Sequence, residues 1–254
     1  MRVIKLSFAA LVLWSRFGVR GLNWRAWKML MTYPGIGIVY NRIKKNANTT
    51  TALLLREIET GMVDALDDAK ARYLSVLPYR EIWALRNRRL IVIVRNPYSR
   101  LLSAFLDKFR LEEYRRQHGD FSLTPEGFAA FVDWLASGNV DKNGHWREQT
   151  YHIFLPLKKF DTVVRFENLK PEILSFLAAS GLQAPEERLD SLYPSDINKR
   201  TSADTKLHHF YTPRVAGIVT RLYAKDFDAL GYSTEFPAQM PEDQMPEELS
   251  RCRI

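Results

Sequence analysis

The sequence predicts an α/β fold in which a mostly parallel sheet is flanked by helices on both sides. Two observations support this prediction. Residues 90–94 (LIVIV) form an uninterrupted apolar run rich in β-branched side chains, which is typical of a strand covered on both faces. Segments with a strand pattern also alternate with helical segments between residues 35 and 227, and this alternation is typical of parallel strands joined by helices.

The individual elements follow from local patterns and from prolines and capping residues. We expect a short buried strand at 35–43, followed by a helix that Thr49 or Thr50 caps and that ends near Gly61. The other predicted elements are helices at 63–73 and 79–87, a strand at 90–94, a helix from 97 to about 114, a helix at 125–134, a strand at 162–166, a helix from 170 to about 180, and a last helix at 213–227. Prolines at 97, 125 and 213 stand where a first helical turn tolerates them.

These elements suggest three regions. Residues 1–34 are predicted to form a basic amphipathic helical segment, residues 35–234 the main domain, and residues 235–254 a loose tail rich in proline and acidic residues. A chain of 254 residues is long enough for one large domain with a substantial core.

Positive charge is concentrated at the amino-terminal end. The chain has a net charge of +8, and its first 56 residues contain ten lysines and arginines but no acidic residue. The remaining residues carry 27 basic and 29 acidic side chains, so they are nearly balanced. A basic stretch of this kind suits anionic ligands, an anionic polymer or a membrane surface.

The amino-terminal segment leaves three interpretations open. Its apolar run at 6–14 is too short for a bilayer, which needs roughly 20 apolar residues. Residues 2–30 combine aromatic and basic side chains, as interfacial helices do. The segment is therefore a helix packed on the domain, a membrane-surface contact or a cleaved signal peptide.

Cys252 is the only cysteine, which excludes an internal disulfide and fits a reducing compartment. We expect a cytoplasmic protein, with peripheral contact at the inner membrane surface as a second prediction.

A first turn, at residues 37–51 (GIVYNRIKKNANTTT), has the features of an anion-binding loop. It leads into a helix, whose amino-terminal N–H groups and partial positive charge attract an anion. Lys45 adds a mobile charge, and the hydroxyls of 49–51 add donors. The alternative is a basic loop whose threonines only cap a helix, because the G-x-x-x-x-G-K-[ST] pattern is absent.

A second turn, at residues 90–105 (LIVIVRNPYSRLLSAF), places Arg95 directly after the predicted buried strand. α/β folds bind ligands at this end of a strand, and the guanidinium group suits phosphate oxygens. Ser103 follows eight residues later; the alternative is a salt-bridged arginine and a surface serine. Arg100 is expected to be a solvated or structural charge.

Magnesium-dependent phosphoryl transfer normally needs an acidic residue at a strand end. Because Arg95 stands at that position here, the sequence favours sulfuryl transfer without a metal.

These turns and two further segments resemble the sulfotransferase family 2 group, that is, the Golgi-type carbohydrate sulfotransferases and their bacterial relatives. The matching segments are 43–50 (IKKNANTT), 95–105 (RNPYSRLLSAF), 145–149 (HWREQ) and 160–169 (FDTVVRFENL), with a weaker match at 222–232 (LYAKDFDALGY). Lys44 stands where the family often has proline, and Ala47 where it often has glycine. The resemblance implies a P-loop-like sulfotransferase fold.

The resemblance also implies the substrates. The donor would be 3′-phosphoadenosine 5′-phosphosulfate (PAPS), and the acceptor a hydroxyl of a polysaccharide, lipopolysaccharide or glycolipid, with no metal. Lys45 would neutralise charge on the oxygen that leaves sulfur, while Arg95 and Ser103 would hold the 3′-phosphate. The loop residues expected to contact the 5′-phosphosulfate are Lys45, Asn46, Ala47, Asn48, Thr49 and Thr50.

A base must take the proton of the acceptor hydroxyl, and histidine suits this role near neutral pH. His145 is the first candidate, with Trp146 beside it as an apolar face for a sugar ring; the alternative is that both residues form a structural corner. Glu57, on the helix after the first turn, is the rival base. A basic loop containing Lys199 and Arg200 is a further donor contact or, alternatively, a solvated charge cluster.

Two other functions remain open from the sequence. One is a P-loop-type phosphoryl-transfer enzyme, and the other is a non-catalytic binder of an anionic polymer or membrane surface. Nucleic-acid binding is not expected, because the basic residues are not interleaved with stacking aromatics across one face.

Overall fold

The structure, a computed structural model, describes residues 8, 11–12, 14–16, 18, 22–62, 79–184 and 203–237. The chain divides into two compact units. The first unit contains residues 1–95 and 148–195, and the second contains residues 96–147 and 196–254.

The first unit contains a four-stranded sheet. Its strands are β1 (Leu30–Tyr33), β2 (Ile38–Asn41), β3 (Arg89–Val94) and β4 (Thr162–Arg165), and they are adjacent in that order. Strand β1 is antiparallel to β2, whereas β2, β3 and β4 are mutually parallel. The predicted mostly parallel α/β sheet is therefore confirmed.

Strand β3 lies between two parallel neighbours. Ile38 of β2 is in register with Arg89, and Thr162 of β4 is in register with Ile91. Residues 90–94 are at most 2% exposed. The apolar run at 90–94 therefore forms a buried central strand that is covered on both faces, as predicted.

Strand β1 was not anticipated, because residues 1–34 were predicted to contain only helix. A 3₁₀ turn at Pro34–Ile36 and Gly37, with φ 68°, reverse the chain so that β1 pairs with β2. The turn also shortens the strand predicted at 35–43 to Ile38–Asn41. The domain limits at residues 34 and 234 stay predictions.

The described α-helices are, in chain order, α1 (Asn48–Thr60), α2 (Tyr79–Ala84), α3 (Pro97–Lys108), α4 (Glu112–His118), α5 (Pro125–Trp134), α6 (Gln149–His152), α7 (Leu169–Ala179), α8 (Leu207–Phe210), α9 (Pro213–Leu222) and α10 (Ala224–Leu230). Short 3₁₀ segments extend some of them, as at Leu85–Asn87 after α2. Most of these helices were predicted from the sequence. The helix predicted at 63–73 lies outside the described residues.

Side-chain caps begin three of the helices, each next to a proline that the sequence placed in a first helical turn. The Asn96 side chain accepts from the N–H of Tyr98 at the start of α3, at 2.9 Å. Thr124 and Thr212 accept from an N–H three residues later, at 3.2 and 3.3 Å, at the starts of α5 and α9. A proline occupies the first turn of each helix, where its missing N–H is harmless.

The core of the second unit is aromatic. Phe105, Phe109, Phe131 and Trp146 are each 0% exposed. Their rings pack at angles typical of aromatic clusters, with centroids 5.5 Å apart for Phe105 and Phe109 and for Phe131 and Trp146. Helices α3 and α5 contribute to this core, and so do residues of α8, α9 and α10.

Two long predicted helices are each divided in the structure. The helix predicted at 97–114 ends at Lys108, and α4 begins at Glu112. The helix predicted at 213–227 is interrupted at Tyr223, whose hydroxyl donates to the Trp146 carbonyl. Neither break has a glycine or proline; buried Phe109 and Tyr223 lie at the two breaks, so tertiary packing accounts for them. Residues 238–254 of the predicted tail lie outside the described part.

Candidate functional site

The loop between β2 and α1 has two residues in an unusual backbone conformation. Lys45 has φ 70° and Ala47 has φ 50°, and no other non-glycine residue has positive φ in the part of the chain that the structure describes. Positive φ crowds the Cβ atom of an L-residue and costs on the order of 1–3 kcal/mol. Such strain persists only where surrounding contacts fix it, and it is common in ligand-binding loops.

This loop and the start of α1 are suited to an anion. The sign of φ alternates from Lys45 through Asn46 to Ala47, an alternation that makes successive N–H groups converge. Ala47 precedes α1 and provides no side-chain cap, and Thr49 and Thr50 lie inside the helix, so the prediction that one of them caps it is wrong. The first helical bond joins the Thr51 N–H to the Ala47 carbonyl at 2.9 Å, so the N–H groups of 48–50 have no acceptor in a preceding turn. Together with the helix dipole, they favour a bound anion.

A further arginine, to which the sequence analysis gave no role, contacts the same loop. Arg42 Nε donates to Asn48 Oδ1 at 3.2 Å, joining the end of β2 to the first residue of α1. Burial lowers the pKa of Arg42, and the neighbouring Tyr40 and Tyr33 partly oppose that shift. Arginine remains protonated at neutral pH, so Arg42 adds positive charge beside the loop.

The second turn meets the first through Arg95. This residue follows β3 and is only 3% exposed. Its Nη1 donates to the Lys45 carbonyl at 3.3 Å, and its guanidinium carbon lies 3.9 Å from the centroid of the Phe166 ring. The structure therefore brings together Lys45 and Arg95, which are 50 residues apart in the sequence.

Gln149, at the start of α6, connects these two turns, and the sequence analysis gave it no role. It is 0% exposed. Its Oε1 accepts from the Arg95 N–H at 3.0 Å and from Asn46 Nδ2 at 2.6 Å, and its Nε2 donates to the Arg95 carbonyl at 2.7 Å. Asn46 Nδ2 also donates to the Ile93 carbonyl at 2.8 Å. The only sequence signal for Gln149 is its position in the segment at 145–149.

Residues 96–105 of the second turn belong to the second unit. Ser103 lies on α3 and is 4% exposed. Arg100 is 1% exposed, and its Nη1 donates to the Arg147 carbonyl at 2.8 Å. Of the two interpretations of Arg100, the structural one is therefore confirmed.

The prediction that Trp146 offers a face to a sugar ring is wrong. Its side chain is 0% exposed, and its Nε1 donates to the Asn139 carbonyl at 3.2 Å. Burial of a large aromatic side chain stabilises the fold, and Trp146 lies in the aromatic core of the second unit. His145 is partly exposed; its N–H donates to Asn143 Oδ1 at 3.0 Å, and its ring packs edge-on against Tyr114. Its role as a base stays a prediction.

The remaining predicted site residues fall in two groups. Thr49, Thr50 and Glu57 lie on α1, where each is partly buried. With a rise of about 1.5 Å per residue, Glu57 lies roughly 14 Å along the helix axis from Asn48. As a base it would need an acceptor hydroxyl beside the helix rather than at its start. Lys199 and Arg200 lie outside the described residues.

The amino-terminal segment is described only in part. Arg16 donates to the carbonyls of Leu85 and Arg88 and forms an ion pair with Asp161 at 3.4 Å, so its charge is used within the first unit. Trp24 and the nearby Arg25, Trp27 and Lys28 line an open cavity of about 470 Å³. Among the described residues, no helix combines the length and apolar character needed to cross a bilayer. Membrane-surface contact through residues 1–30 stays a prediction.

Comparison with known protein families gave a match. Residues 28–233 match a family model described as "Sulfotransferase family". That range includes both turns that are predicted to bind anions and all four strands of the sheet. No curated protein and no solved structure matched the chain.

Proposed function

This chain belongs to the sulfotransferase family, and from that membership we propose that it transfers a sulfuryl group from PAPS to a hydroxyl of a carbohydrate. The family supports sulfuryl transfer in general; the nucleotide donor and the sugar acceptor are the proposal. One observation carries the choice of donor. The two turns suited to anions are in direct contact through Arg95 and the Lys45 carbonyl, as a nucleotide with anionic groups at two positions requires.

The first turn is proposed to hold the 5′-phosphosulfate group. Its alternating backbone and the uncapped start of α1 supply N–H donors for the phosphate. Lys45 supplies a positive charge next to the oxygen that leaves sulfur, where negative charge develops as the bond breaks. The residues assigned to this group are Lys45, Asn46, Ala47, Asn48, Thr49 and Thr50.

The second turn is proposed to recognise the 3′-phosphate through Arg95. A guanidinium group donates two parallel hydrogen bonds to phosphate oxygens. The Phe166 ring and the Lys45 carbonyl hold the side chain of Arg95 in place, which lowers the entropy lost on binding. That Ser103 adds a hydroxyl to the same phosphate stays a prediction, as do the donor contacts of Lys199 and Arg200.

The acceptor is proposed to be a carbohydrate hydroxyl. Polysaccharide, lipopolysaccharide and glycolipid can be distinguished by incubating the chain with labelled PAPS and each acceptor class in turn. Turnover is then the rate at which 3′-phosphoadenosine 5′-phosphate (PAP) is released, measured in the presence of the acceptor that becomes labelled.

The donor class is tested by calorimetry on the wild-type chain. We expect PAP to bind at least about tenfold more tightly than ADP, because only PAP offers a phosphate to Arg95, and a charge-assisted hydrogen bond contributes about 1.5–3 kcal/mol. Equal affinities, or tighter binding of ADP, would contradict PAPS as the donor and favour the phosphoryl-transfer alternative.

The base is tested by comparing His145→Ala with Glu57→Gln. We expect His145→Ala to lower kcat at least about 100-fold, the usual contribution of a general base, with unchanged affinity for PAP. The affinity should not change because a base contacts the acceptor rather than the nucleotide. If Glu57 is the base, the pattern is reversed. If neither variant loses about tenfold, corresponding to roughly 1.4 kcal/mol of barrier, both assignments are wrong.

A further inference from the structure

The two anion-binding turns share one buried side chain. The side-chain amide of Gln149 bonds twice to the backbone of Arg95 and once to the side chain of Asn46. We propose that Gln149 is a positioning residue that fixes the spacing between the loop at 43–48 and the end of β3, and thereby sets the affinity for a nucleotide that bridges both. The inference rests on the proposed function.

The site requires a group with both a donor and an acceptor. Gln149 Oε1 accepts from the Arg95 N–H and from Asn46 Nδ2, while Nε2 donates to the Arg95 carbonyl. Because the side chain is 0% exposed, water cannot replace a lost partner, and an unpaired polar atom there is costly. A side-chain amide supplies the donor and the acceptor in one group.

Asn46 explains how this amide stabilises the strained loop. It stands between Lys45 and Ala47, the two residues with positive φ. Its Nδ2 donates to the Ile93 carbonyl at 2.8 Å and to Gln149 Oε1 at 2.6 Å. Backbone strain persists where several contacts determine the conformation together. Asn46 thus ties the strained loop to β3, and Gln149 holds both sides of that connection.

Gln149 acts through the backbone and through Asn46, so its expected effect differs from that of a group that touches the ligand. A ligand that engages only the first turn tolerates a small change in spacing. A ligand that engages both turns does not, because its two anionic groups are a fixed distance apart. PAP is a ligand of the second kind, and adenosine 5′-phosphate (AMP) is one of the first.

The test variant is Gln149→Glu, which preserves shape but replaces the Nε2 donor with an oxygen facing the Arg95 carbonyl. Asn41→Asp is a matched control in the same unit. Asn41 is 0% exposed, its Nδ2 donates to the His152 carbonyl at 2.9 Å, and its Oδ1 accepts from the Phe154 N–H at 2.8 Å. Both variants remove one buried donor that faces a carbonyl, but Asn41 lies at the end of β2, before the loop at 43–48, and its two bonds go neither to that loop nor to Arg95.

We expect Gln149→Glu to weaken PAP binding at least about tenfold and AMP binding less than about threefold, so that the preference for PAP falls; losing one buried hydrogen bond has an effect of this order. Asn41→Asp should change both affinities by the same factor. Thermal unfolding of both variants measures the purely structural cost, which we expect to be similar. The donor KM of Gln149→Glu should rise in parallel with its PAP dissociation constant.

If Gln149→Glu does not fold, Gln149→Asn, which keeps the amide but shortens the side chain, gives the same test, with the same expected loss of preference for PAP. A variant that folds and keeps the wild-type ratio of PAP to AMP affinity would overturn the inference and leave the proposed function standing. A wild-type chain without any preference for PAP would overturn the proposed function and this inference with it.

Discussion

Replacing Lys45 with alanine is expected to lower turnover at least about 100-fold while the chain remains folded. In the proposed reaction the bond between sulfur and the bridging oxygen breaks, and that oxygen gains negative charge. The Lys45 ammonium group is the cation assigned to it. Removing a group that stabilises developing charge in a transition state typically costs about 10²–10³ in kcat, which corresponds to roughly 2.7–4 kcal/mol.

The backbone at position 45 makes alanine the suitable replacement. Lys45 has φ 70°, and alanine, which also has a Cβ atom, is strained there to a similar degree. Glycine would relieve the strain and loosen the loop, so its effect would mix backbone and charge. We therefore expect Lys45→Ala to unfold near the wild-type temperature. Its affinity for PAP should fall less than its turnover, because backbone N–H groups are also proposed to bind the phosphate.

Lys44→Ala is the matched control. It removes the same charge one residue earlier in the loop, and Lys44 has no assigned role in catalysis. Steady-state rates and thermal unfolding of both variants separate a specific role of Lys45 from the general positive potential of the first 56 residues. If Lys45→Ala keeps its turnover within about tenfold of the wild type, or if both variants lose it equally, the role proposed for Lys45 is wrong.

The sheet and most helix starts could be predicted because their signals are local. The run at 90–94 reads as a buried strand whatever surrounds it, and Thr124 and Thr212 lie next to the N–H groups that they cap. The breaks at Phe109 and Tyr223 have no such signal, since packing against distant residues of the second unit produces them. Strand β1 was not predicted because its four residues directly follow the basic segment and were assigned to the same helical region.

The contact between the two turns involves residues that motifs single out, while their chemical roles stay predictions. Lys45 and Arg95 stand in two such motifs, and the structure brings them into contact. Gln149 bonds to partners that are 54 and 103 residues away, so no local pattern could assign its role. The prediction for Trp146 was wrong because it relied on a local pattern. Its position beside His145 suggested contact with a sugar ring. Whether a tryptophan is buried depends on distant residues, which the local sequence does not show.

Arg95→Lys is expected to reduce the preference for PAP over ADP by about 10- to 100-fold. Lysine keeps the charge at the end of β3, so binding of any anion should persist. It loses the planar pair of donors that matches two phosphate oxygens, as well as the stacking on Phe166, where the guanidinium carbon now lies 3.9 Å from the ring centroid. Hydrogen bonds to a charged group contribute about 1.5–3 kcal/mol, and every 1.4 kcal/mol corresponds to about tenfold in affinity.

Arg165→Lys provides the comparison for this substitution. Arg165 ends β4 in register with Val94, the residue before Arg95, and it is exposed. The same substitution at that position should leave the ratio of PAP to ADP affinity unchanged in calorimetry. If Arg95→Lys also leaves the ratio unchanged, the 3′-phosphate is recognised elsewhere. If ADP binding falls as much as PAP binding, Arg95 contributes to the first turn through the Lys45 carbonyl rather than to recognition of the 3′-phosphate. Because the side chain touches that carbonyl, the difference between the two nucleotides, rather than either affinity alone, identifies the phosphate that Arg95 binds.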